Sequence, residues 1–266
     1  MSLPQPALTL KPIPLSAIDS LSDADYAAWS SHTLSSVTAL LATLPIAQPS
    51  SDLWKPKRLY HGKTAPTQTW TSGRGKHLAG TGETQGLRWH ARQTKVSREQ
   101  GTYEQFKDGL LVEHSKKEKE YIEAAIEAKE IKVVKPGELE VWQMKYTNSP
   151  AAKRDFTFLI LTRETTAPPP SPTSSPTTTT AAPAALHSFA VVSIPVDAPA
   201  EKGFVRGRYV SVEHVQETEE GGVLWTMAVS SDAGGWVPRL LSEWVMPGKI
   251  AEDVPSFLGW LKNRRS

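Results

Sequence analysis

Apolar residues recur at helical spacing along the C-terminal end of the chain. After Trp236 come Val237, Leu240, Leu241, Trp244, Val245, Ile250, Val254, Phe257, Leu258 and Leu261, close to the ~3.6-residue period of an amphipathic helix. They predict a long closing helix with a wide, large-chained apolar face. Pro247 and Pro255 fall inside it. Each removes a backbone hydrogen bond, so the run is either one kinked helix or two helices divided at Pro247-Gly248. A second helical pattern lies near the start. Ser22 precedes Asp23 and Asp25 as an N-cap with acids in the first turn. Tyr26, Trp29, Thr33, Val37, Leu40, Leu41 and Leu44 then form one face, which Pro45 ends.

Between these helices the pattern alternates, as in half-buried strands. Lys57–Tyr60, Thr67–Ser72 and Leu87–Gln93 read as short strands among Gly-rich turns. Tyr103, Phe106 and Leu110 mark one helix; Tyr121, Ile122 and Ile126 mark another. Strand patterns return at Ala128–Val134, Leu139–Tyr146, Asp155–Thr162, His187–Val196, Gly203–Val215 and Val223–Val229. This order places the chain in the α+β class, with one mostly antiparallel sheet. Trp225, Met227 and Val229 share one strand face, as do Trp142, Met144 and Tyr146. Those stripes are either ordinary core or the lining of a cavity.

Length and composition narrow the picture. A chain of 266 residues holds one large domain or two small ones. Residues 1–19, with Pro4, Pro6, Pro12 and Pro14, read as an extended arm. Residues 20–266 read as a single domain. Its one break in composition is a Thr/Pro/Ala/Ser tract over residues 166–185. That tract has too little apolar surface to offset its ordering entropy and is expected to be a disordered hairpin tip. Loop closure grows only slowly with length, so such an insertion is tolerated.

Charge is nearly balanced, 30 basic against 28 acidic residues, which gives nucleic acid binding no electrostatic support. Cysteine is absent, excluding disulfides, thiolate nucleophiles and Cys-based metal sites. Residues 1–6 have neither the charged nor the apolar region of a secretory signal. No apolar run approaches the ~20 residues of a membrane span. These signs lead us to expect a cytoplasmic protein, at most peripheral at membranes.

Candidate polar chemistry is sparse. Ser72–Lys76 and Gly80–Gly82 match no phosphate-loop spacing and read as a flexible hairpin. His114 and Glu118 share a helix face, but no third metal ligand accompanies them, and a charged solvent face is the expectation. No cofactor and no metal site are implied. Arg154 either meets an anionic headgroup or joins a structural ion pair at a strand end. Arg206 and Arg208 share one strand face and Tyr209 takes the other.

Several strings bear a family resemblance. Arg154-Asp-Phe156, Lys202-Gly-Phe-Val-Arg206 and Asp232-Ala-Gly-Gly-Trp-Val-Pro238 occur in the order found in START domains. The chain as a whole also resembles a fungal family of START-like proteins of unassigned function. Glu113–Tyr121, Val141–Tyr146 and Tyr209–His214 carry that likeness. It covers about residues 20–262 apart from the Thr/Pro insertion.

The resemblance implies a helix-grip fold: a curved antiparallel sheet of about nine strands packed on a long C-terminal helix. It also implies a tunnel between the two for a lipid or another hydrophobic small molecule. The residues expected to line it are Trp142, Met144, Phe156, Phe158, Ile160, Trp225, Met227, Leu241, Trp244 and Val245. Arg154, Arg208 and Tyr209 are its polar candidates. Ile160 stands where some sterol-binding members carry a basic residue, a departure that counts against a sterol held by a buried charge. A transient membrane surface is the second expected partner, and nucleic acid is not one. A binding module of this kind needs a cavity of about 300 Å³ or more. The alternative is a cyclase- or hydrolase-like enzyme working in the same cavity, with Tyr146, Arg154, Tyr209 and His214 as acid–base candidates. A cavity lined by apolar atoms alone would exclude it.

Overall fold

The computed structural model describes residue 3 and residues 8–46, 52–61, 65–147, 152–166 and 186–264. Nearly all of the Thr/Pro tract lies outside the described residues.

The chain begins with a two-residue strand, β1 (Ile13–Pro14), and a short helix, α1 (Leu15–Asp19). The expectation of a purely extended arm therefore misses a helical turn. Pro14 sits at the N-cap of α1 with φ −59°, and a proline costs a helix nothing where no N–H is needed. Leu8, Leu10, Ile13 and Ile18 are buried, so this segment is part of the core. Helix α2 (Asp23–Ala42) follows, capped by the Ser22 side chain on the Asp25 N–H.

Strands β2 (Trp54–Tyr60), β3 (Thr67–Ser72) and β4 (His90–Val96) come next. The chain then leaves the sheet through α3 (Tyr103–Phe106), a π-helical turn (Lys107–Leu111) and α4 (His114–Tyr121). It returns as β5 (Ala125–Lys135), β6 (Leu139–Tyr146), β7 (Arg154–Thr166), β8 (His187–Asp197), β9 (Val205–Arg206), β10 (Arg208–Glu217) and β11 (Val223–Asp232). Ile126, read from sequence as helical, belongs to strand β5. The closing helix α5 runs unbroken from Arg239 to Asn263 through both prolines, which decides between the two readings of Pro247-Gly248.

The strands form one open sheet in the order β2-β3-β4-β11-β10-β8-β7-β6-β5. Every pairing along that path is antiparallel. β1 and β9 add short parallel pairings to β8 and β7. β11 sits between β4 and β10, so the last strand joins β2, β3 and β4 to the rest. β7 and β8 pair up to Thr166↔His187, the two ends of the Thr/Pro tract.

Strand periodicity divides the core in two. Val141, Leu159, Leu161, Val192, Val210 and Val212 point to one side, where Trp29, Val37 and Leu40 of α2 cover them. Trp142, Met144, Phe158, Ile160, Phe189, Val191 and Trp225 point to the concave side, toward α3, α4 and the second half of α5. Phe257 is the centre of that layer, with ring contacts to Phe106 at 4.9 Å and to Tyr121 and Trp225 at 5.2 Å. The π-helical turn approaches α5 so closely that a Cβ on Gly109 would lie 2.6 Å from the Phe257 ring. Only glycine fits there.

A candidate ligand cavity under the closing helix

α5 is packed along only part of its length. Ile250, Ala251, Val254, Phe257 and Leu261 are buried, whereas Leu240, Leu241, Trp244 and Val245 are exposed, as is Trp236 in the turn before the helix. The division falls at Pro247-Gly248, where proline's missing N–H leaves the Glu243 carbonyl without its helical partner. Under the helix, against the concave sheet face, lies a cavity of about 220 Å³.

The cavity has two characters. Ile122, Val191, Met227, Val229, Met246 and Ile250 supply an apolar wall. His114, Glu118, Tyr146, Tyr209, Glu213 and Asp253 supply a polar one. The polar groups arrive from four elements. On α4 the i, i+4 spacing sets His114 and Glu118 one turn apart, and the packing of Tyr121 and Ile122 turns that face inward rather than to solvent. The expected solvent face is thus corrected. β6 contributes Tyr146 and β10 contributes Tyr209 and Glu213 by alternation. α5 contributes Asp253, set among Ile250, Val254 and Phe257.

These groups are linked. Tyr146 donates its hydroxyl to Glu118 Oε1 at 2.7 Å. His114 Nε2 stands 3.6 Å from Glu118 Oε2, and its Nδ1 donates to the Leu110 carbonyl at 2.6 Å. Burial raises the Glu118 carboxyl above its ordinary value, against the lowering effects of His114 and Tyr146. Behind this wall Arg92, fully buried, gives one amino group to Glu213 at 3.1 Å and stacks on Trp225 at 4.0 Å. Trp225 Nε1 also donates to Glu213, at 2.7 Å. Arg92 Nε and Nη1 have no protein acceptor. Asp253 has no hydrogen-bond partner among the described residues. Burial pushes its carboxyl up to about 7, with Arg92 opposing that rise and Glu213 and Glu118 adding to it.

Of the residues expected from sequence, Trp225, Met227 and Tyr209 border the cavity, with Tyr146 from the acid–base set. Trp142, Met144, Phe158 and Ile160 are on the concave side but buried in the core around it. Phe156 is half-buried there, against Tyr146 and Tyr209. Leu241, Trp244 and Val245 lie outside; Trp244 and Val245 border an outer groove with Lys57, Arg58, Arg88 and Lys249. Arg154 is structural, donating to the carbonyls of Ala233 at 2.9 Å and Ala152 at 3.0 Å. Arg208 and His214 alternate with the cavity-facing residues of β10 and share the face of Val210 and Val212. Sequence singles out neither Asp253 nor Arg92, and it places Glu118 only beside His114 on a solvent face. A carboxylate inside an apolar helical stripe was the signal for Asp253.

Among the described residues no cluster of His, Asp and Glu is arranged to hold a metal ion, and no helix is long and apolar enough to cross a membrane.

An open antiparallel sheet gripping a long terminal helix is the START-type helix-grip fold. The human StAR-related lipid transfer protein 5 superposes with a TM-score of 0.62 over 89% of this chain and 99% of its own, at 14% identity. A STAR-related lipid transfer protein from Xanthomonas axonopodis superposes with a TM-score of 0.56 over 79% of this chain and 99% of its own, at 13% identity. Residues 89–261 match the family described as "Protein of unknown function (DUF3074)", and the chain belongs to that family. An uncharacterized protein of Schizosaccharomyces pombe is 28% identical over 185 residues, 66% of this chain and 69% of its own length.

Proposed function

We propose that this protein binds a lipid or other hydrophobic small molecule between the concave sheet face and α5. The observation that carries the reading is the cavity beneath a helix whose first third leaves its large apolar side chains exposed. As folded, the cavity holds about 220 Å³, short of the 300 Å³ set out above. Tyr146, Tyr209, Trp225 and Met227 fill the grip that a whole lipid would need. Admission of one therefore requires the first third of α5, Arg239–Met246, to swing about Pro247-Gly248. The gain is ample: each buried CH₂ is worth about 0.8 kcal/mol, so a sixteen-carbon chain yields about 13 kcal/mol before ordering costs. The fold shared with lipid transfer proteins supports this reading.

The same segment, with the turn before it, is the part offered to a membrane. Exposed Leu240 and Trp244 share a groove with Lys57, Arg58 and Arg88, the aromatic-plus-basic pairing that suits an anionic lipid surface, and Trp236 and Leu241 add further exposed apolar area.

Native mass spectrometry of protein purified from a eukaryotic host, with organic extraction of any bound mass, tests the proposal. A stoichiometric lipid is the expected result. An empty protein whose melting temperature no apolar ligand raises would reject it.

A second reading is acid–base catalysis on a hydrophobic substrate. It is favoured by Asp253, held near neutrality in the same cavity as Glu118 and His114. Chemical turnover of the extracted ligand, lost in Asp253→Asn, is its check.

A further inference from the structure

The polar wall of the cavity is not electrically balanced. Three carboxyl groups, Glu118, Glu213 and Asp253, border it, and His114 is the one basic side chain on its lining. Two of the acids are engaged. Glu213 is held by Arg92 and Trp225, and Glu118 by Tyr146 and His114. Asp253 alone faces the cavity with no hydrogen-bond partner among the described residues. Arg92 offers no anchor to an anion, because it is stacked behind Trp225 rather than on the lining. A carboxylate or phosphate entering this space would meet three acids on the lining, with the unpaired Arg92 nitrogens off it.

We propose that the polar end of the cavity seats the ammonium head of an apolar amine, with Asp253 as its counter-charge, Glu118 beside it and the apolar wall around its carbon chain. This rests on the binding function proposed above and names the chemistry of its ligand. The physical case is that of any desolvated carboxylate: unpaired it is costly, and a cation that hydrogen-bonds to it removes the penalty. A hydroxyl in the same place satisfies a hydrogen bond but not the charge. The elevated Asp253 carboxyl agrees with this, since burial and the neighbouring Glu213 and Glu118 are what raise it.

The space fits a compact probe without movement of α5. At about 30 Å³ per water, 220 Å³ is the room of about seven waters, close to an eight-carbon chain. The test is therefore the binding of octylamine, octanol and octanoic acid to the full chain by calorimetry, at pH 6 and pH 8. The amine is expected to bind about tenfold more tightly than the alcohol, and the acid most weakly. Asp253→Asn should remove most of that preference, and Glu118→Gln should weaken it.

Amine affinity should rise from pH 6 to pH 8 in the wild type and less so in Asp253→Asn. That difference subtracts the other groups facing the site: His114, Glu118 and Tyr121 on α4, Tyr146 on β6, Tyr209 and Glu213 on β10, and Arg92 on β4. If the alcohol or the acid binds as well as the amine, the headgroup assignment is overturned while apolar binding stands. If none of the three binds, the binding function itself fails and this inference with it. Should Asp253→Asn not fold, Glu118→Gln and the wild-type pH dependence still decide.

Discussion

Asp155 and Arg206 form a two-point ion pair, Nε to Oδ1 at 3.1 Å and Nη2 to Oδ2 at 2.7 Å, with Asp155 wholly buried. The Gln143 amide and the Glu201 backbone N–H also donate to Asp155, and Arg206 reaches Thr157 and the Pro199 carbonyl. One residue away, Arg154 holds the Ala233 carbonyl in the turn before α5. The strings that resemble START domains thus meet at one place, where they anchor the turn that launches the closing helix. Arg206→Ala leaves a buried carboxylate unpaired. It is expected to cost about 3–5 kcal/mol, read by urea unfolding, and an effect below about 1 kcal/mol would show that the pair is not a structural anchor.

Gly109 gives a second test of how α5 is held. An added methyl would press on Phe257 at 2.6 Å and Trp260 at 2.8 Å, and both belong to rings already in contact. Gly109→Ala should destabilise by about 1–3 kcal/mol. Gly137, with nothing near its Cβ position, serves as the comparison, although its φ of 69° adds its own strain to any alanine there.

The exposed apolar residues at the start of α5 should respond in the opposite manner. Trp244 is 80% exposed, so Trp244→Ala should leave stability within about 0.5 kcal/mol of wild type. Co-sedimentation with anionic vesicles should fall when Trp236 and Trp244 are both replaced by alanine. Equal vesicle binding by the double variant would remove the membrane role.

The pH dependence follows from Asp253. Its carboxyl is raised in the folded state from 3.8 to about 7, so the folded protein binds the proton more tightly than the unfolded chain. Its contribution is fully present below about pH 4 and is lost as pH rises through about 7. The difference caps that loss at about 4 kcal/mol, and the side chain's partial exposure lowers it. His90 acts oppositely: burial, then Arg88 and Lys57, hold its imidazole down to about 4, so stability is lost as pH falls from 6.5 toward 4. Wild type against Asp253→Asn isolates the first effect. The variant should gain relative stability between pH 4 and pH 8 in thermal melts, and parallel curves would contradict the assignment.

Much of this architecture is written in local patterns. Thr67–Ser72 and Leu139–Tyr146 are strands over the same residues that alternation marks, and Ser22 caps α2 as its spacing implies. Alternation also sorts Trp142, Met144, Phe158, Ile160 and Trp225 onto the concave side. It cannot tell which of them reach open space, because that depends on the depth at which each strand crosses under α5. The polar wall is harder still. Glu118 and Asp253 come from different helices, and only tertiary packing turns them toward each other's neighbours. A period assigns a side chain to a face; it does not say what faces it. Leu241, Trp244 and Val245 extend the apolar stripe of α5, but Trp244 and Val245 face the outer groove beside β2 and β3 rather than the cavity, so the stripe alone assigns them to a cavity they do not reach.

The position of β11 governs how the molecule is made. β4 pairs with β11, His90 against Val229, so during synthesis β2, β3 and β4 emerge long before their neighbour. Until then Ala91 and its flanking backbone are an unsatisfied edge, open to pairing with other chains. Contacts this distant in sequence slow folding. The nascent chain should therefore depend on chaperones until its final strand leaves the ribosome, and a truncation that removes β11 should yield aggregate rather than a smaller folded protein.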